Sequence, residues 1–167
     1  MKNIGYIIAL LAITAYSCGR ITFDMRGASF GNEKTCQVFY FENRADIVNP
    51  RLAAQMTDAL KDKIQSNSKL KLVNSNADVM FEGEITGYSV QSGQITAQNR
   101  AETDKLTVTV KVKYTNMLDS EKNYDKSFSR FHEYPGGADL SSYENQMVEK
   151  ILEEIMEDIY NEAFAQW

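Results

Sequence analysis

Leu106, Val108, Val110, Val112 and Tyr114 alternate with Thr107, Thr109, Lys111 and Lys113. That period of two predicts a strand over 106–114 with one apolar face and one wet face. The stretch 79–90 repeats the pattern, with Val79, Phe81, Gly83 and Ile85 on one side and Glu82, Glu84 and Thr86 on the other. Residues 123–133 read as a third such strand, with Tyr124, Phe128 and Phe131 as its aromatics, after a turn over 116–122. The three should form an antiparallel meander. Ahead of them, Thr35 to Phe41 is aromatic and β-branched on both sides, which suits a central strand. Its alternation puts Cys36, Val38 and Tyr40 on one face and Phe39 and Phe41 on the other.

Two segments carry the helical period instead. After Asn49-Pro50, a capping residue followed by a residue suited to the first helical turn, Leu52, Met56, Ala59, Leu60 and Ile64 recur with helical spacing. This helix should fade near Asn67, a residue that tolerates a left-handed end. A short strand at 70–73 follows, so strand, helix and strand look like a βαβ unit; paired in one sheet as a crossover, the two strands should be parallel and the connection right-handed. After the break at Pro135-Gly136-Gly137, Ser141 and Glu144 are spaced as a capping box. Beyond it Met147, Val148, Ile151, Leu152, Ile155, Met156, Ile159, Tyr160, Ala163, Phe164 and Trp167 form one apolar stripe, opposite a face rich in Glu and Asp. The order of elements predicts an α+β fold, two helices packed on one face of a mixed four- to five-stranded sheet, the other face partly polar and open.

The N-terminus follows a different logic. Lys2 precedes an apolar run from Ile4 to Thr14, then Ala15-Tyr16-Ser17-Cys18. A basic start, an apolar core and small residues before a cysteine make a secretory signal. The core falls short of the ~20 apolar residues of a membrane span. The position of Cys18 predicts a lipoprotein signal over 1–17, with Cys18 acylated as the mature N-terminus. Ala15 stands where such signals usually carry Leu, so an ordinary secreted protein cut near Ser17 stays the alternative. Residues 18–34, rich in Gly and polar side chains, read as a tether, and 35–167 as a single domain. Removing the signal leaves about 150 residues, one domain by length.

Composition narrows the function. The net charge of −5 in 167 residues disfavours nucleic acid as a partner. With Cys18 acylated, Cys36 is left as a lone thiol, read here as a small buried hydrophobe in its strand. The single histidine, His132, stands near Glu133 without further His or Cys to converge with it, so no metal site or other cofactor is expected. No Gly-x-Ser-x-Gly elbow and no phosphate-cradling glycine loop occurs. Glu82 and Glu84 share a face, as do Lys111 and Lys113, a pattern of cross-strand ion pairs rather than of acid–base catalysis. The chain is therefore expected not to be an enzyme. Lys105, Lys111, Lys113, Lys122, Lys126 and Arg130 crowd the last two strands and their turn. Such a bias suits phosphorylated glycolipid headgroups as well as it suits plain solubilising charge, with Glu82, Glu84 and Asp125 as its counterweights.

Several segments taken in order carry a family likeness. After the signal ending in Cys18 come Val38-Phe39-Tyr40-Phe41-Glu42-Asn43-Arg44, then Asn49-Pro50 opening a helix with Leu60-Lys61-Asp62-Lys63. Leu70-Lys71-Leu72-Val73 precedes Ala77-Asp78-Val79-Met80-Phe81-Glu82-Gly83-Glu84-Ile85-Thr86-Gly87-Tyr88, and the 106–112 strand leads to Phe128-Ser129-Arg130-Phe131. This order resembles the LptE family of lipopolysaccharide-assembly lipoproteins in its Bacteroidetes form. The resemblance implies a lipid-anchored protein of the outer membrane, facing the periplasm. It implies a non-catalytic plug inside an LptD-like β-barrel, with lipopolysaccharide as the cargo. Lys111, Lys113 and Arg130 are the residues singled out here for headgroup contact. The segment around Phe39 to Asn43 with Ala77-Asp78 and Gly83 is also similar to TolB-like and CsgG-like envelope modules, which would make the chain a scaffold or secretion component instead.

Overall fold

The structure is a computed structural model that describes residues 32–47, 49–93 and 103–164. Cys18 and the signal, residues 94–102 and Trp167 therefore lie outside the described residues. The elements are β1 (Thr35–Val38), β2 (Glu42–Asn43), α1 (Leu52–Asn67), β3 (Lys71–Leu72), β4 (Val79–Ser92), β5 (Thr103–Asn116), β6 (Tyr124–Pro135) and α2 (Glu144–Phe164). The sheet runs β3-β1-β4-β5-β6, with β2 pairing β4 further along. It therefore has six strands, not the four or five expected, because the chain pairs with β4 a second time at Glu42–Asn43, just past the predicted 35–41 strand. The β1–α1–β3 unit is parallel, β1 is also parallel to β4, and β4, β5 and β6 form the antiparallel meander. The α+β class, with a mixed sheet backed by two helices, holds.

The split between β1 and β2 has a register cause. Val38 stands opposite Phe81 but Glu42 stands opposite Glu84, so this side of the ladder carries one residue more than β4 does. The excess turns Phe39 and Tyr40 out to solvent and brings Phe41 fully into the core. Simple alternation had put Tyr40 with Cys36 and Val38; the bulge replaces it with Phe41. Displaced from the ladder, the Phe41 N–H donates to the buried Thr57 Oγ1 at 3.0 Å, and the Thr57 hydroxyl donates to the Ala53 carbonyl at 2.7 Å. The Phe41 ring lies where a Cβ on Gly83 would sit, 2.2 Å away, so only glycine fits beneath it. A second irregularity at Thr86, between the pairs Ile85–Val110 and Gly87–Thr109, switches the inward face of β4 from odd to even residues and points Tyr88 at the helices.

The core fills the space between sheet and helices. Val79, Phe81 and Ile85 of β4 and Leu106, Val108, Val110, Val112 and Tyr114 of β5 are buried beneath Met56, Leu60 and Ile64 of α1 and Ile151, Ile155 and Ile159 of α2. The α2 stripe is buried from Met147 to Phe164 as its period predicts. Cys36 is buried among these groups, and burial pushes its thiol up to about 12.

The helix ends differ from the sequence signals. Asn49 accepts the Arg51 N–H at 3.0 Å and so shapes the turn before α1, which starts at Leu52. No left-handed residue closes α1; Ser68, in extended backbone, returns both its N–H and its hydroxyl to the Ile64 carbonyl. The positive φ falls instead on Asn76, in the turn before β4. The Ser141–Glu144 capping box does not form. Asp139 takes the Ser141 N–H and hydroxyl in a 3-10 turn, and Glu144 turns its carboxylate to Tyr88 and Asn49.

Candidate functional site

With both helices on one side, the described residues leave the other side of the sheet open. In the β4–β5–β6 register, Glu82 faces Lys113, Glu84 faces Lys111, and Lys113 faces Asp125. All five side chains stand on the open face, because their ladder neighbours Val110, Val112 and Tyr114 are buried beneath the helices. Lys113 Nζ lies 3.1 Å from Glu82 and Lys111 Nζ 3.0 Å from Asp125. From β2 and the turn after it, Glu42 accepts from the Arg44 guanidinium at 2.8 Å, and Arg44 also approaches Glu84 at 3.5 Å. Exposed Phe39 and Tyr40 complete the border. The result is a shallow groove of about 520 Å³. Its floor is a ladder of alternating charge and its rim is aromatic. Glu42 first and Glu84 second hold the Arg44 guanidinium firmly in its charged form.

Only two of the three cations singled out from sequence share this face, Lys111 and Lys113. Arg130 pairs in register with Val108 and so stands on the helix side, where its Nε and Nη2 each lie 2.7 Å from Asp158 of α2. Lys126 reaches Glu162 in the same way, and His132 Nε2 lies 3.0 Å from Glu154. These three pairs tie the edge strand β6 to α2. They explain His132 as a structural contact and take Arg130 and Lys126 out of the groove. Glu82 and Glu84 stand in ion pairs on the open face, with Lys113 and Arg44 respectively. Among the described residues no cluster of His, Cys, Asp or Glu could hold a metal, and no helix is long and apolar enough to cross a membrane.

A smaller cavity of about 420 Å³ lies at the far end of the helices, between Asn49, Arg51 and Glu144. Glu144 Oε1 accepts from the Tyr88 hydroxyl at 2.5 Å and from Asn49 Nδ2 at 3.0 Å. Burial, reinforced by that carboxylate, holds the Tyr88 phenol well above its ordinary range. The cluster pins both helix starts to β4 and is internally satisfied.

Sequence reasoning named Lys111, Lys113, Glu82, Glu84 and Asp125, but not Phe39, Tyr40, Glu42 or Arg44 as parts of the same groove. The bulge that brings these four into the groove depends on pairing with β4, which no local pattern records.

A mixed sheet with a two-helix back and an open, ion-paired front makes a platform rather than an enclosed cavity. The chain belongs to the LptE family, described as lipopolysaccharide-assembly, whose model matches residues 33–163. Curated proteins gave no match. Among solved structures, the hypothetical protein CT253 from Chlamydia trachomatis is similar in fold, with a TM-score of 0.54 and 11% identity over 80% of this chain and 99% of that one. A putative neuraminyllactose-binding hemagglutinin homolog from Helicobacter pylori gives 0.54 at 7% identity, over 78% and 86% of the two chains. Protein XCC0632 from Xanthomonas campestris gives 0.53 at 10% identity, over 77% and 82%. At such identities these three speak for the fold alone.

Proposed function

We propose that this chain is a lipid-anchored, non-catalytic partner of an LptD-like outer-membrane β-barrel, seated in its lumen as a plug and serving the passage of lipopolysaccharide to the outer leaflet. The observation that carries the reading is that the lipopolysaccharide-assembly family covers residues 33–163, nearly the whole described domain. The surface suits the role, because a barrel lumen is polar and the open sheet face offers paired charges rather than an apolar patch. Cys18, once residues 1–17 are removed, would carry the acyl chains. At ~0.8 kcal/mol per buried methylene, two or more chains hold a protein stably on a membrane. Lys34 is tied into the fold through its N–H to Asp78, so a tether from Cys18 would end before it.

Lys111 and Lys113 are the groove's candidates for phosphorylated headgroups. A phosphate there would draw their ammonium groups away from Asp125 and Glu82, exchanging one charged acceptor for another. Arg130 could meet a headgroup only from the helix side, in competition with Asp158. Affinity purification from native envelopes tests the partnership: a large β-barrel is expected in one-to-one ratio, and its absence would sink the proposal. Lipopolysaccharide capture tests the contacts. Lys111→Glu with Lys113→Glu should weaken it markedly, and an unchanged result removes the groove from the role.

A further inference from the structure

The end of the domain where the N-terminal arm enters is stitched together at Asp78. Its carboxylate accepts the Lys34 N–H at 2.8 Å, the Thr35 N–H at 2.9 Å and the Thr35 hydroxyl at 2.9 Å, while its carbonyl accepts the Met117 N–H at 2.8 Å. One residue thus fixes the incoming arm against the tip of the β5–β6 hairpin. A second stitch lies beside it. Glu33 Oε1 accepts from Asn116 Nδ2 at 2.6 Å, and buried Asn116 accepts the N–H groups of Leu118 and Asp119 at 2.9 Å each. Asp119 in turn caps the short 3-10 turn Ser120–Lys122. The tip is therefore held by several hydrogen bonds, and beside its exposed Ser120 and Glu121 it turns two adjacent apolar side chains to solvent: Met117 is 65% exposed and Leu118 55%. Lys34 and Lys71 stand exposed at the same end, joined through the hydrogen bond from the Lys71 N–H to the Lys34 carbonyl.

From this geometry we infer that the β5–β6 hairpin tip is a membrane-contact point: Met117 and Leu118 enter the headgroup boundary of a phospholipid bilayer while Lys34 and Lys71 lie along its anionic surface. Two exposed apolar side chains are unremarkable when scattered. Here they are adjacent, held by the hydrogen bonds of the tip, and placed where the chain leads back to Cys18, so tethering brings this end towards the bilayer. Lysine stems suit such a boundary, since the charge stays among the headgroups while the methylenes lie deeper. The inference rests on the anchored reading of the arm, and it selects which end of the domain faces lipid.

The test uses the acylated chain purified from its own membranes and reconstituted in vesicles of phosphatidylethanolamine and phosphatidylglycerol. Leu118→Cys carries an environment-sensitive fluorophore, and Ile47→Cys, equally exposed at 55% but beside the helix starts at the far end, is the matched control. Spin-labelled lipids should quench the label at 118 several-fold more than at 47. Equal quenching at both positions, or a label at 118 shielded by protein and untouched by lipid quenchers, overturns the inference. Mass spectrometry reports separately whether Cys18 is acylated. If it is not, Cys18→Ser with an N-terminal hexahistidine tag captured on nickel-chelating lipid in the same vesicles supplies the tether, so the hairpin is judged on its own.

Discussion

Replacing Gly83 by alanine would set a Cβ 2.2 Å from the Phe41 ring, which cannot retreat from a filled core. Overpacking of this kind costs ~1–3 kcal/mol, so urea unfolding of Gly83→Ala should show a lowered midpoint, and Phe41→Leu should relieve part of that loss. The partner of Phe41 on the other side is Thr57. Thr57→Val keeps the shape and removes the acceptor, leaving the Phe41 N–H buried and unpaired at a cost of ~1–3 kcal/mol; Thr57→Ser should restore most of it in the same unfolding measurement. Asp78 makes a third case. Hydrogen bonds from the Lys34 N–H first, then the Thr35 hydroxyl and N–H, hold its carboxyl below the ordinary value. A depressed carboxyl contributes stability that is complete above its unfolded pKa of ~3.9 and is lost as pH falls through the lower folded value. Asp78→Ala should therefore flatten the acid limb of the stability–pH curve, read by thermal melting from pH 6 downward. None of these three roles is visible in a one-dimensional pattern. Gly83 reads as one more inward position of a strand and Thr57 as a polar interruption of a helix stripe.

At the scale of elements, α2 is the part that the sequence describes most completely. Its stripe is long, its period unbroken, and burial follows it residue by residue to Phe164. Ile155→Ala at its centre should cost ~2–5 kcal/mol in the same denaturant series. The start of α2 was less legible, because Ser141 and Glu144 have the spacing of a cap while Asp139 and Tyr88 are better placed to use them. The charges of β6 show the same limit. Alternation assigns Arg130, Lys126 and His132 to one face, but only the position of α2 decides that this face meets Asp158, Glu162 and Glu154. These are exposed pairs, and their contribution is expected to be small and to fade with added salt.

For the molecule as a whole, Cys36 reports on integrity. The thiol is fully buried and its pKa is pushed up by burial, so it should react with a thiol reagent at pH 8 only when the domain opens. A labelling rate that rises with denaturant in step with unfolding, and stays negligible without it, is the expected result. The periodicities of 2 and 3.6 were enough to determine the α+β class, the meander, the crossover unit and the buried stripe of α2, because each depends only on which side chains avoid water. The order of motifs was enough to point to the family that covers residues 33–163. Tertiary structure alone decided the rest. The extra residue between β1 and β2, and the bulge at Thr86, each reverse the face of every side chain that follows, and both exist only in the pairing with β4 and β5. For the same reason the groove joins Lys111 and Lys113 to Arg44 and Tyr40 but not to Arg130: strand register and the seat of α2, not composition, determine which charges meet.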